Sequence, residues 1–537
     1  MNSTSTDTGI SIGDWHTASV VTYRVLNDVI QAQGLAPKTF EYNDNSGNAT
    51  NGTFGAWTLS LSEAGTSGEL VMDVAIESGS FAFTDSGTNL EKIVTLTPCV
   101  ATISFPLTFV PNATSDSVHD LTTDETGTVT VLSVEPAQGE GTVEPLLFQQ
   151  SLAAWFNENA SVFKPVLASV DFNMDYEVEG LSWLKPSHAG YAFNKPVTTT
   201  PTLDNSVFAI LTLIDGEEPP SELSKFIPVD AIPEGQDASF LISPRKYIEH
   251  AILPGMPLIF DGIEKDSFDK NFRIGDDGTN LTNKRELKMA PVEVKDKTEK
   301  PTLEADNFNI SILTDAIKYS ITEARCSYAA GIHILMDYSA EIQISYDKDK
   351  GILQSVVTNE NSEGEVDVGE GILIGSAIGE VVGLTLLVVG ALAGSATVLE
   401  EGGVTGDATG DLDNSEGHTD PDNQLEVEEQ LSKRQKFANK LVYSKAGTKL
   451  GMPWLAARGS AITAFVSGLG FVITVLSTVY LVLELVASGK YKDPELQAST
   501  ITDAAIGGTV KWPGMAGAFE LDTAGVNGVF QFGLKRS

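Results

Sequence analysis

The sequence predicts an α+β protein: an elongated, highly curved antiparallel β-sheet wrapped around long helices, with an inserted apolar helical hairpin. Three observations predict it. From Pro37 to about residue 135 the chain breaks into short runs rich in β-branched and aromatic residues, divided by Gly, Asn, Asp and Ser. Residues Ile332–Tyr346 alternate between apolar and polar positions. Two nearly uncharged segments, Gly371–Leu399 and residues 459–484, each exceed the roughly 20 residues that span a bilayer as a helix.

Taken in order, Trp15–Gln33 carries Ala18, Val21, Val25 and Val29 at helical spacing. Asp14 is placed to cap this first helix, and Gly34 and Pro37 end it. Strands are expected at Phe54–Leu61, Glu69–Ile76, Ile93–Leu96, Ala101–Phe105 and Thr128–Val134. Leu146–Val170 returns to helical character through Leu152, Trp155, Phe156 and Phe163, with a break expected at Pro165. Val207–Ile214 is a continuous apolar run and reads as a buried strand.

Ser243-Pro244-Arg245 opens a helix, with Ser243 as cap, Pro244 at the first helical position, and Tyr247, Ala251 and Ile252 on one face. Pro254-Gly255-Met256-Pro257 ends it. Phe308–Ser320 reads as a further amphipathic helix. Then every even position from Ile332 to Tyr346 is apolar or aromatic, and the odd positions are polar except Leu335. Such a strand spans roughly 50 Å at about 3.3 Å per residue. Long strands buried on one side suit a curved sheet around an apolar interior.

The first apolar segment holds one charge, Glu380, and an internal rule: Gly371, Gly375, Gly379 and Gly383 recur at every fourth position. Small residues four apart let helix backbones approach closely. Ser460, Ala464 and Gly468 offer a complementary row in the second segment. Ile374, Ile378, Leu384, Leu387, Phe465, Phe471 and Leu476 are the candidate lipid- or membrane-contacting residues. Between the segments, Glu400–Gln430 is acidic without a Lys or Arg, and Lys433–Arg458 is basic. Lys433, Arg434, Lys436 and Lys440 are the candidate contacts to anionic headgroups, worth about 1 kcal/mol each near a membrane surface. A Gly/Ala-rich hairpin also serves as the buried centre of a soluble protein or oligomer, so insertion and burial both stand as readings. The expected organisation is a β-rich region over 1–365, the inserted hairpin with its connector over 366–505, and returning strands over 506–537.

Composition narrows the function. Against 73 Asp+Glu stand 34 Lys+Arg, a formal net charge of -39, which argues against nucleic acid as a partner. Cys99 and Cys326 are too few for a disulfide framework or a structural zinc site, and small buried hydrophobes are expected. His16, His119, His188, His250, His333 and His418 show no metal-ligand spacing. No nucleophile elbow, P-loop or dinucleotide fingerprint is present. Gly275-Asp276-Asp277-Gly278 reads as a surface turn, since the ordered acidic ladder of a calcium loop is missing. These features exclude no cofactor by themselves, but none is called for, and an enzyme is not expected. Met1–Gly13 lacks a basic n-region and an apolar h-region, so no signal peptide is expected.

An ordered series of segments carries a resemblance. It begins with Gly13-Asp14-Trp15, Leu26-Asn27-Asp28-Val29-Ile30 and Pro37-Lys38-Thr39-Phe40, followed by Asn51-Gly52-Thr53-Phe54-Gly55-Ala56-Trp57. It continues through Trp183-Leu184-Lys185-Pro186, Tyr191-Ala192-Phe193, Ser243–Pro257 and residues 308–346. It closes with Lys511-Trp512-Pro513-Gly514 and Asn527-Gly528-Val529-Phe530-Gln531-Phe532-Gly533. Together these resemble the clostridial forty-seven-kilodalton accessory protein family of orfX-type botulinum neurotoxin clusters, within the tubular lipid-binding (TULIP) superfamily. The resemblance implies a TULIP-like sheet around a long helix, an apolar groove for acyl chains, toxin-cluster protein partners and no catalytic residues. With no signal peptide read, the expectation is cytoplasmic synthesis, with release alongside a toxin complex as an option and membrane association under some conditions. The hairpin departs from the family pattern and raises a pore-forming or membrane-inserting component as an alternative, with a scaffold for a toxin partner as a third reading.

Overall fold

The computed structural model describes residues 9–368 and 509–537, apart from 45–46, 63–67, 86–89, 140–142, 174–182, 215, 217–218, 221–222, 254–255, 290–291, 295–296, 330–331, 350–351 and 516–518. The chain divides into two compact units. The first comprises Met1–Ser243, Tyr346–Ile352 and Glu495–Ser537; the second comprises Pro244–Ser345 and Leu353–Pro494. Antiparallel sheets dominate both, with few helices. The apolar segments at 371–399 and 459–484, and every candidate residue placed on them or on their basic connector, lie outside the described residues.

Two sheets build the first unit. One has six strands in the order Pro186–Asn194, Val207–Ile214, Thr17–Thr22, Ala238–Ile242, Phe530–Arg536 and Phe519–Val526. The other runs Thr39–Asn43, Ala49–Leu59, Glu69–Asp85, Cys99–Asn112, Ser115–Thr123, Ala168–Asp171 and Val510–Lys511. Leu90–Leu96 joins it on Glu69–Asp85, and Thr130–Glu135 joins it on Cys99–Asn112. Helix Tyr23–Gln33 touches both sheets: it packs on Thr17–Thr22, Val207–Ile214 and Ala49–Leu59. The buried Asn27 side chain fixes it there, its Oδ1 accepting the Leu59 N–H at 2.8 Å.

The second unit holds an eight-stranded sheet. Ile317–Ala329 pairs antiparallel with Phe308–Ile312 and with the long Ile332–Asp347 strand, which in turn pairs with Ile352–Val368. Its core is a run of rings: Phe260 to Phe308 at 5.0 Å, Phe308 to Tyr319 at 5.5 Å and Tyr319 to Tyr338 at 5.9 Å between centroids. The alternation read from the sequence appears here as burial of Tyr338, Ala340, Ile342 and Ile344. Pro244–Tyr247 is helical as expected, and continues as a π-helix over Ile248–Ile252.

Three expected helices need correction. Thr17–Thr22 is a strand, and the first helix starts only at Tyr23, capped by Thr22 rather than Asp14. The strand has a partner on each side and is buried along its whole length, so sheet pairing on two edges overrides the helical spacing of Ala18 and Val21. The end is as expected: Gly34 adopts φ +62°, the left-handed cap that glycine takes without a Cβ penalty. Phe308–Ser320 is a hairpin, not a helix. Phe308, Ile310 and Ile312 are buried on one strand and Ile317 and Tyr319 on the next, with the Leu313 N–H reaching the Ala316 carbonyl at 2.8 Å across the turn. Positions 308, 312 and 316 satisfy both a period of two and a period near four, and the helical reading took the wrong one. Leu146–Val170 is helical only from Val143 to Glu158; a 3-10 turn at Ala160–Val162 and a strand at Ala168–Asp171 follow.

Candidate functional site: exposed apolar residues on a sheet-packed helix

Helix Val143–Glu158 turns Phe148, Ser151, Leu152, Trp155 and Phe156 toward the nine-stranded sheet, one face at helical spacing. These side chains enter a cluster of rings: Phe54 to Trp155 at 5.3 Å, Phe54 to Phe156 at 5.7 Å and Phe105 to Phe156 at 5.8 Å. Trp57 and Phe163 close it at 4.6 Å. Between this helix and the sheet the space is filled by the protein's own aromatic side chains.

Polar latches hold the helix in register. Asn157 accepts the Val129 N–H at 2.9 Å and donates to the Val129 carbonyl at 2.9 Å, and Gln149 donates to the Val131 carbonyl at 2.5 Å. Ahead of the helix, buried Gln138 accepts the Thr97 N–H at 2.8 Å and donates to the Pro136 carbonyl at 2.7 Å. Gly139 follows at φ +88°, where a Cβ would fall 2.6 Å from a Glu144 carboxylate oxygen. Only glycine fits that close approach without displacing Glu144.

The opposite side of the helix is mixed. Val143 is 62% exposed and Leu146 58% exposed, Leu147, Ala153 and Ala154 are half-buried, and the polar Gln150, Asn157 and Glu158 are exposed further along. Here the described residues cover one side alone. Leu90, 66% exposed, lies on the helix-side face of the neighbouring edge strand, the same face as Lys92. Lys92 places its Nζ 3.9 Å from Glu144 and 5.9 Å from the Phe83 ring centroid.

Among the described residues no group of three His, Cys, Asp or Glu is placed to hold a metal ion. Cys99 is buried, and that burial pushes its thiol up to about 11, so the nucleophilic thiolate is scarce at neutral pH. Cys326 has no described side-chain surroundings. Gly275–Gly278 is the expected turn: Arg245 donates to the Gly275 and Asp276 carbonyls at 3.2 and 3.3 Å. Backbone and hydroxyl hydrogen bonds from Thr279 hold the Asp277 carboxyl below the usual range. His16 is a core residue, its Nδ1 accepting the Ile214 N–H at 3.0 Å. No helix among the described residues is long and apolar enough to cross a membrane.

Of the candidate residues read from the sequence, none falls in this surface, since all lie between 371 and 468 or on Phe471 and Leu476, outside the described residues. Val143, Leu146 and Leu90 are what that reading missed. The signal was present in Val143 and Leu146, apolar positions that lie off the face set by Leu152, Trp155 and Phe156.

The fold defines a sheet-rich α+β protein, and its first unit presents exposed apolar side chains at the start of helix Val143–Glu158. The OrfX-like family model, described as Protein OrfX2/OrfX3/P47, matches residues 12–402, and the chain belongs to that family. It is 23% identical over 346 residues to Protein OrfX3 of Paraclostridium bifermentans, covering 58% of this chain and 67% of that protein. It is 23% identical over 211 residues to Protein OrfX3 of Clostridium botulinum (strain Kyoto / Type A2), covering 38% of this chain and 42% of that one. The fold is similar to P47 from C. botulinum A2, at TM-score 0.59 and 13% identity over 98% of both chains. It is also similar to P47 of C. botulinum E1, at TM-score 0.57 and 14% identity over 98% of this chain and 100% of that one. The family read from the sequence motifs is therefore the family of the chain.

Proposed function

We propose that this protein is a non-enzymatic lipid- or membrane-binding accessory protein of a bacterial toxin system. The observation that carries the reading is the exposed apolar pair Val143 and Leu146 at the start of helix Val143–Glu158, near exposed Leu90, on a helix whose other face is latched to the sheet. Burying such a face against acyl chains stabilises a complex by about 0.8 kcal/mol per methylene and needs no catalytic group. Membership of the OrfX-like family supports the toxin-system part, because the sequence resemblance is to accessory proteins of botulinum neurotoxin clusters. TULIP architecture, with the hairpin inserted over 366–505 between the regions 1–365 and 506–537, belongs to the same proposal. In it Gly371–Leu399 and residues 459–484 pack along their small-residue rows, and Lys433, Arg434, Lys436 and Lys440 meet anionic headgroups.

The test is co-flotation of the purified full chain with liposomes, alongside lipid extraction and mass spectrometry of the protein as isolated. Binding or co-purifying lipid is expected. Neither lipid nor flotation, at neutral or acidic pH, would end the proposal.

The four-residue glycine row Gly371, Gly375, Gly379 and Gly383 favours a second reading, a membrane-inserting component. Dye release from liposomes separates it: Gly379→Leu abolishes release in this reading and leaves simple lipid binding intact. In the third reading, a toxin-cluster protein is captured by the chain with the hairpin deleted as well as by the intact chain.

A further inference from the structure

Leu90–Leu96 is an edge strand of the nine-stranded sheet. It pairs on one side with Gly79–Asp85, from Gly79 opposite Leu96 to Asp85 opposite Leu90. Among the described residues no strand pairs with its other side. Open edges present unpaired backbone donors and acceptors, and proteins commonly guard them with charge, proline or a bulge. This edge has little guard. Its pairing with Gly79–Asp85 is continuous, and it contains no proline. Lys92 points to the helix side, where Glu144 meets its charge. On the face away from the helix, Ile93 stands 70% exposed between Glu91 and Thr95. With one acid and one base, Leu90–Leu96 is locally neutral in a chain of net charge -39.

We propose that this edge pairs, antiparallel and about a two-fold axis through Ile93, with the same edge of a second copy of the chain. Side chains directly opposite each other must share a face, so self-pairing about one residue sets each position against one an even number away. Three central residues can be compared by charge. An axis at Ile93 sets Lys92 against Val94, Glu91 against Thr95 and Leu90 against Leu96, so no like charges meet. An axis at Lys92 sets two lysines face to face, which is destabilising. An axis at Val94 sets Leu90 against Pro98, beyond the end of the strand and without a backbone donor. The Ile93 register alone joins apolar contact to charge compatibility across the whole strand.

Sedimentation of the full chain over a micromolar concentration series should show a reversible dimer. Added salt should tighten it by screening the repulsion between two strongly acidic chains. Ile93→Lys should weaken association by at least about tenfold, with the circular dichroism melt unchanged because Ile93 is exposed. Cysteine substitution reads the register. Opposed Cβ atoms lie about 4.5–5.5 Å apart, so Ile93→Cys should form an intermolecular disulfide under mild oxidation on a non-reducing gel. Thr95→Cys should not, since the two copies of that position lie roughly 13 Å apart. A mixture of Glu91→Cys and Thr95→Cys chains should cross-link. Monomer throughout the series, a dimer untouched by Ile93→Lys, or Thr95→Cys cross-linking as readily as Ile93→Cys would overturn the proposal.

Discussion

Helix Tyr23–Gln33 turns Arg24, Gln31 and Ala32 to solvent, with Asp28 half-buried beside them. Arg24 pairs with Asp204, and Asp28 pairs with Arg536. Helix Val143–Glu158 turns Val143 and Leu146 outward at its start, with Leu147, Ala153 and Ala154 half-buried beside them and polar Gln150, Asn157 and Glu158 exposed further along. Both helices bury a full apolar face in the first unit. The inner faces are therefore alike, and the outer faces divide the two roles. A polar outer face completes a structural helix, whereas exposed Val143 and Leu146 leave burial still to be gained from something else.

The largest effect should come from the inner face of the second helix. Leu152→Ala is expected to cost about 2–5 kcal/mol in urea denaturation, because Leu152 is fully buried beside the aromatic cluster. Leu146→Ala, in the same helix as Leu152 and Trp155 but on its outer side, should stay within about 0.5 kcal/mol. Equal costs for the two would break the contrast between faces.

Liposome partition should reverse that order. Leu146→Ser is expected to lower partition into zwitterionic vesicles by about ten- to a hundredfold, from about 1.5–3 kcal/mol of lost side-chain burial, at unchanged thermal stability. Asn157→Ala sharpens the comparison from the side of the frame. It leaves the Val129 N–H and carbonyl without their side-chain partner, and a loss of about 1–3 kcal/mol is expected in the same urea assay.

The smallest effect belongs to the polar face of the first helix. Arg24→Ala should cost about 0.5 kcal/mol or less, since both members of the pair are exposed. The Arg24 hydrogen bond holds the Asp204 carboxyl below its usual value, and the guanidinium charge adds to it. The pair's contribution is thus present above the ordinary carboxylate range and is lost as pH falls through the lowered Asp204 value. Wild type and Arg24→Ala should differ equally at pH 7 and pH 5, and converge only at strongly acidic pH, as followed by denaturation midpoints.

Much of the sheet was legible in the residues. Val207–Ile214 reads as a buried strand because every position is apolar or Thr, and it is buried from end to end with a strand on each side. Ile332–Asp347 is legible for the opposite reason, a clean alternation over a long run. Phe308–Ser320 was misread because its apolar positions suit two periods, and the deciding feature, the turn at Leu313–Ala316, carries no glycine or proline. Thr17–Thr22 was misread because strand pairing on both edges comes from residues about 200 positions away. The exposure of Val143 and Leu146 could not be read from composition. Which side the sheet covers depends on Phe54, Trp57 and Phe105, which sequence spacing does not place. Family membership was legible through an ordered series of short motifs spread from Gly13 to Gly533.

The six-stranded sheet joins the beginning of the sequence to its far end. Thr17–Thr22 lies beside Ala238–Ile242, which lies beside Phe530–Arg536, and the Ile10 N–H donates to the Asn527 carbonyl. During translation, Ala238–Ile242 therefore emerges with one of its two edges waiting for a neighbour almost three hundred residues downstream. At about 5–20 residues per second, that neighbour leaves the ribosome roughly 15–60 seconds later. Through that interval the nascent chain carries an apolar strand edge that its own later residues will cover, and the order of synthesis makes this sheet one of the last parts of the molecule to close.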